Sequence, residues 1–216
     1  MADKTLNALL DRHGQTYADE LGIDVAANTP SPLFRLLCFA LLASTRISAD
    51  IAVAAARALT DEGLTTAGAM ADSTWRTRTD ILNTSGYARY DESTSRSLGA
   101  TAELLTDRYS GDLRKLRAQA DGNIHTLHSL ITECKGIGDV GAAIFFREVQ
   151  AAWDELFPYA DDRALGVADR LGLGDDPGVL AKAVSKADYP RLVAALVRAG
   201  LAGDDEVTAL RNASPA

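Results

Sequence analysis

A short glycine-containing stretch at positions 132–146 carries the clearest chemical signal in the chain. It reads TECKGIGDVGAAIFF, with a helical pattern of apolar residues on each side of Gly136 and Gly138. Two glycines separated by one residue allow a tight turn with φ values that other residues avoid. They also leave the amide N–H groups at the start of the second helix open to an anion. The stretch therefore predicts a helix-hairpin-helix, whose usual ligand is a phosphate of the DNA backbone.

Two other interpretations of this stretch compete with the hairpin. An ordinary helix C-cap glycine followed by a short link would use the same residues. A dinucleotide-binding turn fits poorly, because such a turn follows a β-strand and no strand-forming run precedes Gly136. The hairpin and the simple C-cap are the two alternatives that the residues leave open.

The composition favours a helical protein. Apolar residues make up 47% of the chain and aromatic residues only 6%, with alanine throughout, as in closely packed helices. A chain of 216 residues can bury one large core or two small ones. The longest apolar run, LLCFALLA at 36–43, is too short to cross a bilayer, and the N-terminal MADK lacks the features of a signal peptide. We expect a soluble, cytoplasmic protein with no membrane partner.

Two cysteines, Cys38 and Cys134, lie inside apolar helical patterns. Neither has a second cysteine or a histidine at the spacing that metal ligands require. Buried free thiols are therefore expected at both positions, in preference to a disulfide or a metal site.

The net charge of −8 argues against nucleic-acid binding, since phosphates are neutralised by lysine and arginine. The distribution of charge weakens this objection. Between Trp75 and Arg117, eight basic residues stand against six acidic ones, a net of +2, whereas the rest of the chain carries −10. This stretch could supply a local basic surface. The alternative is a solvated helical face with scattered arginines.

The apolar period is helical almost everywhere, and Gly and Pro positions mark the breaks. No strand, repeat or long linker is evident, so the sequence predicts an all-α protein. Helices are expected at 3–21, 33–45, 48–62, 72–83, 91–108, 112–118, 124–134, 140–153, 161–171, 177–186, 188–199 and 204–212.

Several of these segments, taken in order from about Leu33 to Leu173, resemble the helix-hairpin-helix DNA glycosylase superfamily, and most closely its endonuclease III-like branch. Each match alone is weak, but their order and spacing together favour the fold. The matching segments are LLASTRISAD at 41–50, similar to the family's LLSxQxTD; ILNTSGY at 81–87, similar to IxxxG followed by Leu or Tyr; LITECKGIGDVGA at 130–142, similar to the LPGVGxxTA hairpin; and YADDRALGVADRLG at 159–172, similar to VDTH followed by RVxxRLG.

The resemblance implies a two-lobed fold with DNA lying across the cleft between the lobes. The central lobe would run from 31 to 146, with the helix-hairpin-helix at about 124–150. Residues 1–30 and 147–216 would form the second lobe. Candidate DNA-binding residues are those of the hairpin and of the segment that fills the gap left by a flipped base: Lys135, Gly136, Gly138, Val140, Gly141, Thr45 and Arg46.

The family's catalytic carboxylate corresponds to Asp161. A carboxylate beside the flipped nucleotide stabilises positive charge on the sugar or activates water when the base–sugar bond breaks. The adjacent Asp162 replaces a residue that is usually Thr, and it is the second candidate for this role. The alternative for Asp161 is a purely structural one, as the N-cap of the following helix.

Departures from the family pattern bear on the reaction. Bifunctional members carry a lysine in the second hairpin helix that forms a Schiff base with the sugar, and the matching position here is Val140. Lys135 takes the place of the hairpin proline and is expected to face phosphate or solvent. The gap-filling glutamine is replaced by Thr45 or Arg46, depending on an offset of one residue.

The resemblance also bears on cofactors, because many endonuclease III-like proteins bind a [4Fe–4S] cluster through four C-terminal cysteines. This chain has no cysteine after Cys134, so no iron–sulfur cluster and no other metal cofactor is expected. We predict a monomeric base-excision repair protein that binds double-stranded DNA, with monofunctional glycosylase activity. The alternative is a non-catalytic DNA-binding or regulatory protein on the same scaffold.

Overall fold

The structure is a computed structural model that describes residues 2–212, with side chains from residue 4 onward, and this part of the chain contains only helices and turns. The predicted all-α fold class is confirmed. The helices are α1 (Ala2–His13), α2 (Tyr17–Glu20), α3 (Pro30–Ala43), α4 (Ala49–Asp61), α5 (Ala67–Asp72), α6 (Trp75–Thr84), α7 (Asp91–Tyr109), α8 (Leu113–Gln119), α9 (Ile124–Thr132), α10 (Asp139–Val149), α11 (Asp162–Leu171), α12 (Pro177–Leu180), α13 (Tyr189–Ala202) and α14 (Asp204–Arg211), with a 3₁₀ turn at Asp154–Leu156.

Side-chain N-caps fix where many of these helices begin. In each case a hydroxyl, carboxylate or amide oxygen accepts a hydrogen bond from a backbone N–H of the first turn, which otherwise has no partner. Because such caps are visible in the sequence, most helix starts lie within a few residues of their predicted positions. The capping residues are Thr16, Ser48, Thr66, Thr74, Asp112, Asn123, Asp161 and Asp176.

The first predicted helix, 3–21, is divided into α1 and α2. The helix ends at His13, and Gly14 lies so close to the preceding turn that a Cβ atom would come within 2.3 Å of the Leu10 carbonyl oxygen. Thr16 then restarts the helix by accepting a hydrogen bond from the Asp19 N–H at 3.0 Å. A continuous amphipathic pattern concealed this break because both pieces bury apolar residues.

Two further predicted helices are shorter than expected. The segment 72–83 begins only at Trp75, since Thr74 caps it, and residues Ala67–Asp72 form a separate helix. The segment 177–186 is helical only to Leu180. Beyond it, the Lys182 and Ala183 amides bond to carbonyls three residues back, which is the pattern of successive turns.

In the part of the chain that the structure describes, buried apolar residues form two separate cores. The larger core extends from Tyr17 to Leu156 and is centred on α3, where nine residues between Leu33 and Leu42 are buried. The smaller core joins Leu6 and Leu9 of α1 to residues between Ala160 and Leu210. Tyr17 to Val25 and Val149 to Leu156 pack into the larger core. Helices α10 and α13 contact each other where the two cores meet.

Within residues 2–212, no helix is long and apolar enough to cross a membrane.

Candidate nucleic-acid interface

A cleft of about 430 Å³ lies where the two cores meet. Its lining residues come from the end of α3 and the turn after it, from the starts of α2, α4 and α11, and from α10 and α13. The residues that line it include four positions singled out from the sequence, namely Thr45, Arg46, Val140 and Asp161. The full set is Tyr17, Phe39, Ala43, Ser44, Thr45, Arg46, Ile47, Ala49, Val140, Ile144, Arg147, Asp161, Arg163, Val197 and Leu201.

Asp161 caps α11 and faces the cleft at the same time. Its Oδ1 accepts a hydrogen bond from the Ala164 N–H at 3.1 Å, so the predicted N-cap is present. Its Oδ2 accepts one from Nη1 of Arg147, also at 3.1 Å. The Asp161 side chain keeps 19% of its surface exposed, whereas Arg147 keeps 9%. The carboxylate is therefore held rigidly, with both oxygens engaged.

The last turn of α10 also fixes the backbone that leads to Asp161. Gln150 is almost completely buried, and its side-chain amide makes two hydrogen bonds with Tyr159: Nε2 donates to the Tyr159 carbonyl and Oε1 accepts from the Tyr159 N–H, both at 3.0 Å. The Tyr159 ring stands edge-on to Phe146 at 5.5 Å between centroids. Burial raises the pKa of Tyr159 to about 12, so its hydroxyl stays protonated.

Glu148, on the same turn of α10, holds the start of α2, and Tyr17 of α2 also lines the cleft. Its buried carboxylate accepts hydrogen bonds from the amides of Tyr17 at 3.1 Å and Ala18 at 3.2 Å, at the start of α2. Burial raises the pKa of Glu148 above its usual value, and the two backbone hydrogen bonds oppose this shift. The Tyr17 ring is covered by Arg198, whose guanidinium carbon lies 3.9 Å from the ring centroid. The aromatic wall at Tyr17 is thereby fixed in place.

Arg147, Glu148 and Gln150 were not among the functional residues predicted from the sequence. A signal for them exists, since three polar residues within four positions interrupt the apolar part of a helix that is otherwise buried. Such residues are retained in a core only when hydrogen bonds or ion pairs satisfy them. What they bond to depends on residues far along the chain, and no local pattern indicates those partners.

The two catalytic candidates are placed differently. Asp161 lines the cleft, whereas Asp162 is the exposed first residue of α11 and is not among the lining residues within the described chain. The gap-filling candidates differ as well. The Thr45 hydroxyl is hydrogen-bonded to the Tyr87 hydroxyl at 2.7 Å and to the Leu42 carbonyl at 3.0 Å. Arg46 is exposed and forms no ion pair with any described residue.

The predicted helix-hairpin-helix is present as α9, a turn and α10. Gly136 has φ +88°, and a Cβ atom there would lie 2.9 Å from Cβ of Ser97, so both conformation and space require glycine. Gly138 was expected to need the same freedom, which is wrong: its φ is −97° and a Cβ would meet open space. Gly138 keeps the approach to the first amides of α10 open.

Of the other hairpin residues, Gly141 packs inside the protein, whereas Lys135 and Val140 are exposed. Gly141 is buried, and a Cβ there would lie 3.3 Å from Cγ2 of Ile137 and 3.6 Å from Cβ of Ser44, so it allows α10 to approach the end of α3. Lys135 is exposed outside the cleft, and its carbonyl accepts a hydrogen bond from Thr101 at 3.0 Å. Val140 is 59% exposed and faces the cleft.

The glycines at 136, 138 and 141 also have the spacing of a dinucleotide-binding turn. In such a turn a strand precedes the first glycine, but here the preceding element is the helix α9. The dinucleotide interpretation is excluded on that ground.

Arginines line the cleft, whereas most arginines of the stretch from Trp75 to Arg117 are buried or paired with carboxylates. The cleft is lined by Arg46, Arg147 and Arg163 against one carboxylate, Asp161, a net charge of +2. Most basic side chains of the 75–117 stretch are not free to bind a ligand, because Arg78 is buried and five others pair with carboxylates. These five are Arg76, Arg96, Arg108, Arg114 and Arg117. The alternative of scattered arginines on a solvated surface describes that stretch better.

No cluster of three or more metal-ligating side chains occurs among residues 4–212. Both cysteines are buried free thiols, and burial raises the pKa of Cys134 to about 12.

The arrangement at the cleft offers a fixed carboxylate, a guanidinium beside it, aromatic surface from Tyr17, and an open helix start at the rim.

Comparisons with known proteins reveal a likeness in structure. No protein-family model matches the chain, and no curated protein matches it. A solved structure of a trapped endonuclease III–DNA covalent intermediate, the estranged-adenine complex, is similar over 90% of this chain and 84% of that chain, with 16% sequence identity and a TM-score of 0.49.

Proposed function

We propose that this protein binds double-stranded DNA and hydrolyses the N-glycosidic bond of a damaged or mispaired base, as a monofunctional DNA glycosylase in base-excision repair. The observation that supports this most strongly is the convergence of separate sequence positions on one cleft. Thr45, Arg46, Val140 and Asp161 belong to three different motifs of the sequence, and all four line it. The cleft's net positive charge suits a polyanion, although the whole chain carries −8.

In the proposed reaction, the nucleotide rotates out of the duplex into the cleft. The bond between C1′ and the base nitrogen breaks, the base leaves with a proton, and the oxygen of water bonds to C1′. Positive charge develops on the sugar as the base departs. Asp161 stabilises that charge, because its carboxylate is fixed before the reaction and needs no reorganisation. Arg46, at the exposed rim, fills the gap in the duplex, while the hairpin amides bind a phosphate.

A second candidate is a non-catalytic DNA-binding or regulatory protein, and one observation favours it. Both Asp161 oxygens are already engaged, and the Arg147 guanidinium neutralises much of the carboxylate's charge. A carboxylate in this state stabilises positive charge on a sugar less strongly than a free one.

The experiment that separates these candidates is a lesion screen. Duplexes carrying single deaminated, oxidised, alkylated or mispaired bases are incubated with the protein and then analysed with and without hot alkali, which breaks abasic sites. A glycosylase yields alkali-dependent strand breaks at one class of lesion. Duplex binding without any alkali-dependent product identifies the binding protein, and absence of duplex binding contradicts both candidates.

Val140 supports the monofunctional assignment, because valine has no amine to form a Schiff base with the sugar. Borohydride should trap no covalent adduct between the wild-type protein and an abasic duplex. Val140→Lys places an amine at an exposed position on the cleft, so the fold should tolerate it and trapping should appear. An adduct formed by the wild-type protein contradicts the assignment, and Val140→Met serves as the control without an amine.

We further propose that the protein acts as a monomer without an iron–sulfur or other metal cofactor. Two features support the absence of a cluster: the chain has only two cysteines, and each is buried in the larger core.

A further inference from the structure

Arg147 has more hydrogen-bond donors than its described partners use. A guanidinium presents five N–H donors on three nitrogens. Nη1 bonds to Asp161, and among the described residues neither Nε nor Nη2 has a hydrogen-bond partner. Among the described residues, the buried side-chain polar atoms without a partner are the Tyr109 hydroxyl and Nε of Arg198. The two unused Arg147 nitrogens are not among these atoms, so both keep access to solvent. Because Arg147 is otherwise buried and lines the cleft, that access is through the cleft.

The position of Arg147 is fixed from two sides. Along α10 it shares one helix face with Val140 and Ile144, which also line the cleft. Its backbone carbonyl accepts a hydrogen bond from Nε2 of Gln150 at 2.9 Å, and its guanidinium is tied to Asp161. A donor held in this way is preorganised for a ligand and loses little side-chain entropy on binding.

The surroundings of Arg147 also select by charge. Arg46 and Arg163 line the same cleft, so the only described carboxylate that lines it, Asp161, is outnumbered three to one by arginines. A base that carries a positive charge would be repelled by these three guanidinium groups.

We propose that Arg147 is a specificity-determining residue of the cleft: it holds Asp161 with Nη1 and donates from Nε and Nη2 to a carbonyl oxygen of an uncharged base. This inference rests on the proposed function and names the chemical class of base that the cleft accepts. Bases with a carbonyl acceptor and no charge are bound, bases without such an acceptor are bound weakly, and N-alkylated cationic bases are disfavoured.

Three probe duplexes test the two parts of the inference separately. Each carries one nucleotide with a 2′-fluorinated sugar, which resists cleavage because fluorine destabilises positive charge at C1′. Uracil opposite guanine is neutral with carbonyls, 1,N6-ethenoadenine is neutral without a carbonyl, and N7-methylguanine has a carbonyl and a positive charge. Affinities are measured with the full chain at one salt concentration, relative to a matched undamaged duplex.

The wild-type protein should bind the uracil duplex about ten- to a hundredfold more tightly than the other two, the range of one hydrogen bond to a charged donor. Arg147→Met should abolish this preference, measured as the affinity for each lesion duplex relative to the undamaged duplex. Arg147→Lys, which keeps the charge but has a single donor group, should retain part of it. Arg163→Met is the matched control: it removes a cleft charge that does not contact Asp161, and should weaken all duplexes by similar factors.

The wild-type pattern alone decides the inference if the Arg147 variants do not fold, as judged by circular dichroism. Equal or tighter binding of the N7-methylguanine duplex overturns the inference and leaves DNA binding intact. A uracil preference that survives in folded Arg147→Met also overturns it. Failure to bind even the undamaged duplex contradicts the proposed function itself and the inference with it.

Discussion

Two buried arginines, Arg78 and Arg147, show how similar burial can serve different purposes. Over the whole residue, Arg78 is 7% exposed and Arg147 is 8% exposed. Arg78 donates to the carbonyls of Ser95, Met70 and Ser73 at 3.0, 3.1 and 2.6 Å, and to the Ser73 hydroxyl at 2.9 Å. Among the residues that the structure describes, the Arg147 side chain donates to Asp161 alone, and it retains donors that face a cleft.

The surroundings of the two guanidinium groups explain the difference. Arg78 joins α6 to the carbonyls at the end of α5, which need donors, and to the Ser95 carbonyl of α7. Its Nη2 lies 2.4 Å from where a Cβ at Gly99 would be. Burial lowers the pKa of Arg78, although arginine stays charged at any relevant pH. Burial of a charge therefore does not identify a functional site. Donors that remain unused and face a cleft are the more informative feature.

The largest effect should come from the carboxylate that Arg147 holds. Asp161→Asn retains an oxygen that can cap α11 but removes the negative charge, so base excision should fall by roughly two to three orders of magnitude with near-normal duplex affinity. The measurement is the single-turnover rate on the lesion found by the screen.

Asp162→Asn is the matched control for this prediction, since Asp162 carries the same charge outside the cleft. Its effect on excision should be much smaller. Wild-type rates in folded Asp161→Asn contradict the catalytic assignment, and Asp162 replaces it only if its own substitution abolishes turnover.

Substitution of Arg78 should lower the stability of the protein and leave its binding to DNA unchanged. Arg78→Met leaves buried carbonyl oxygens without donors, each worth about 1–3 kcal/mol, and we expect a total loss of about 3 kcal/mol in the free energy of unfolding. Duplex affinity of the folded protein should stay unchanged. Denaturant unfolding and duplex binding are measured on the same preparation.

Arg76→Met is the control, because Arg76 is exposed and its pair with Asp80 is 3.9 Å long, so the change should be within about 0.5 kcal/mol. A loss of duplex binding in Arg78→Met without a loss of stability would remove the contrast between the two arginines.

Substitutions of the two hairpin glycines should likewise affect different properties, stability at Gly136 and duplex binding at Gly138, with smaller effects. Gly136→Ala forces a Cβ into the left-handed region and against Ser97, so stability should fall by about 2 kcal/mol. Gly138→Val meets open space and should cost less than about 1 kcal/mol as a poorer N-cap. It should weaken binding to every duplex severalfold, since phosphate contacts are independent of sequence. Unchanged affinity in folded Gly138→Val removes the hairpin from the binding surface.

The smallest expected effect is the contribution of Glu148 to the pH dependence of the free energy of unfolding. Burial raises its pKa above 4.5, so the folded protein holds this proton more tightly than the unfolded chain does. The resulting stability is complete below pH 4.5 and is lost as the pH rises through the folded pKa. In Glu148→Gln the fall in the free energy of unfolding from pH 4.5 towards neutrality should be smaller than in the wild type.

Glu206 provides the opposite case for this measurement. The His13 hydrogen bond lowers the Glu206 pKa below 4.5, and this stability is lost as the pH falls through the folded pKa. Glu206→Gln should therefore flatten the acid side of the curve. Identical curves for Glu148→Gln and the wild type contradict the assigned effect of burial.

The sequence by itself determined the fold class and most helices. Caps such as Asn123 and Asp161 are local signals, because the capping oxygen and the amide it accepts from lie within three residues of each other. The hairpin was predictable for the same reason, since the positive φ of Gly136 follows from local chain geometry. The resemblance in segment order predicted that Asp161 and Val140 belong to one cleft. In the structure both residues line the same cleft.

Only the tertiary structure decided what the polar residues of α10 do. Arg147, Glu148 and Gln150 bond to Asp161, to the amides of Tyr17 and Ala18, and to Tyr159, partners that lie 9 to 131 positions away. Glu148 also stabilises the start of α2, because its carboxylate accepts from the Tyr17 and Ala18 amides. Local periodicity records which residues are buried, but the identity of a buried polar group's partner is a property of the assembled fold.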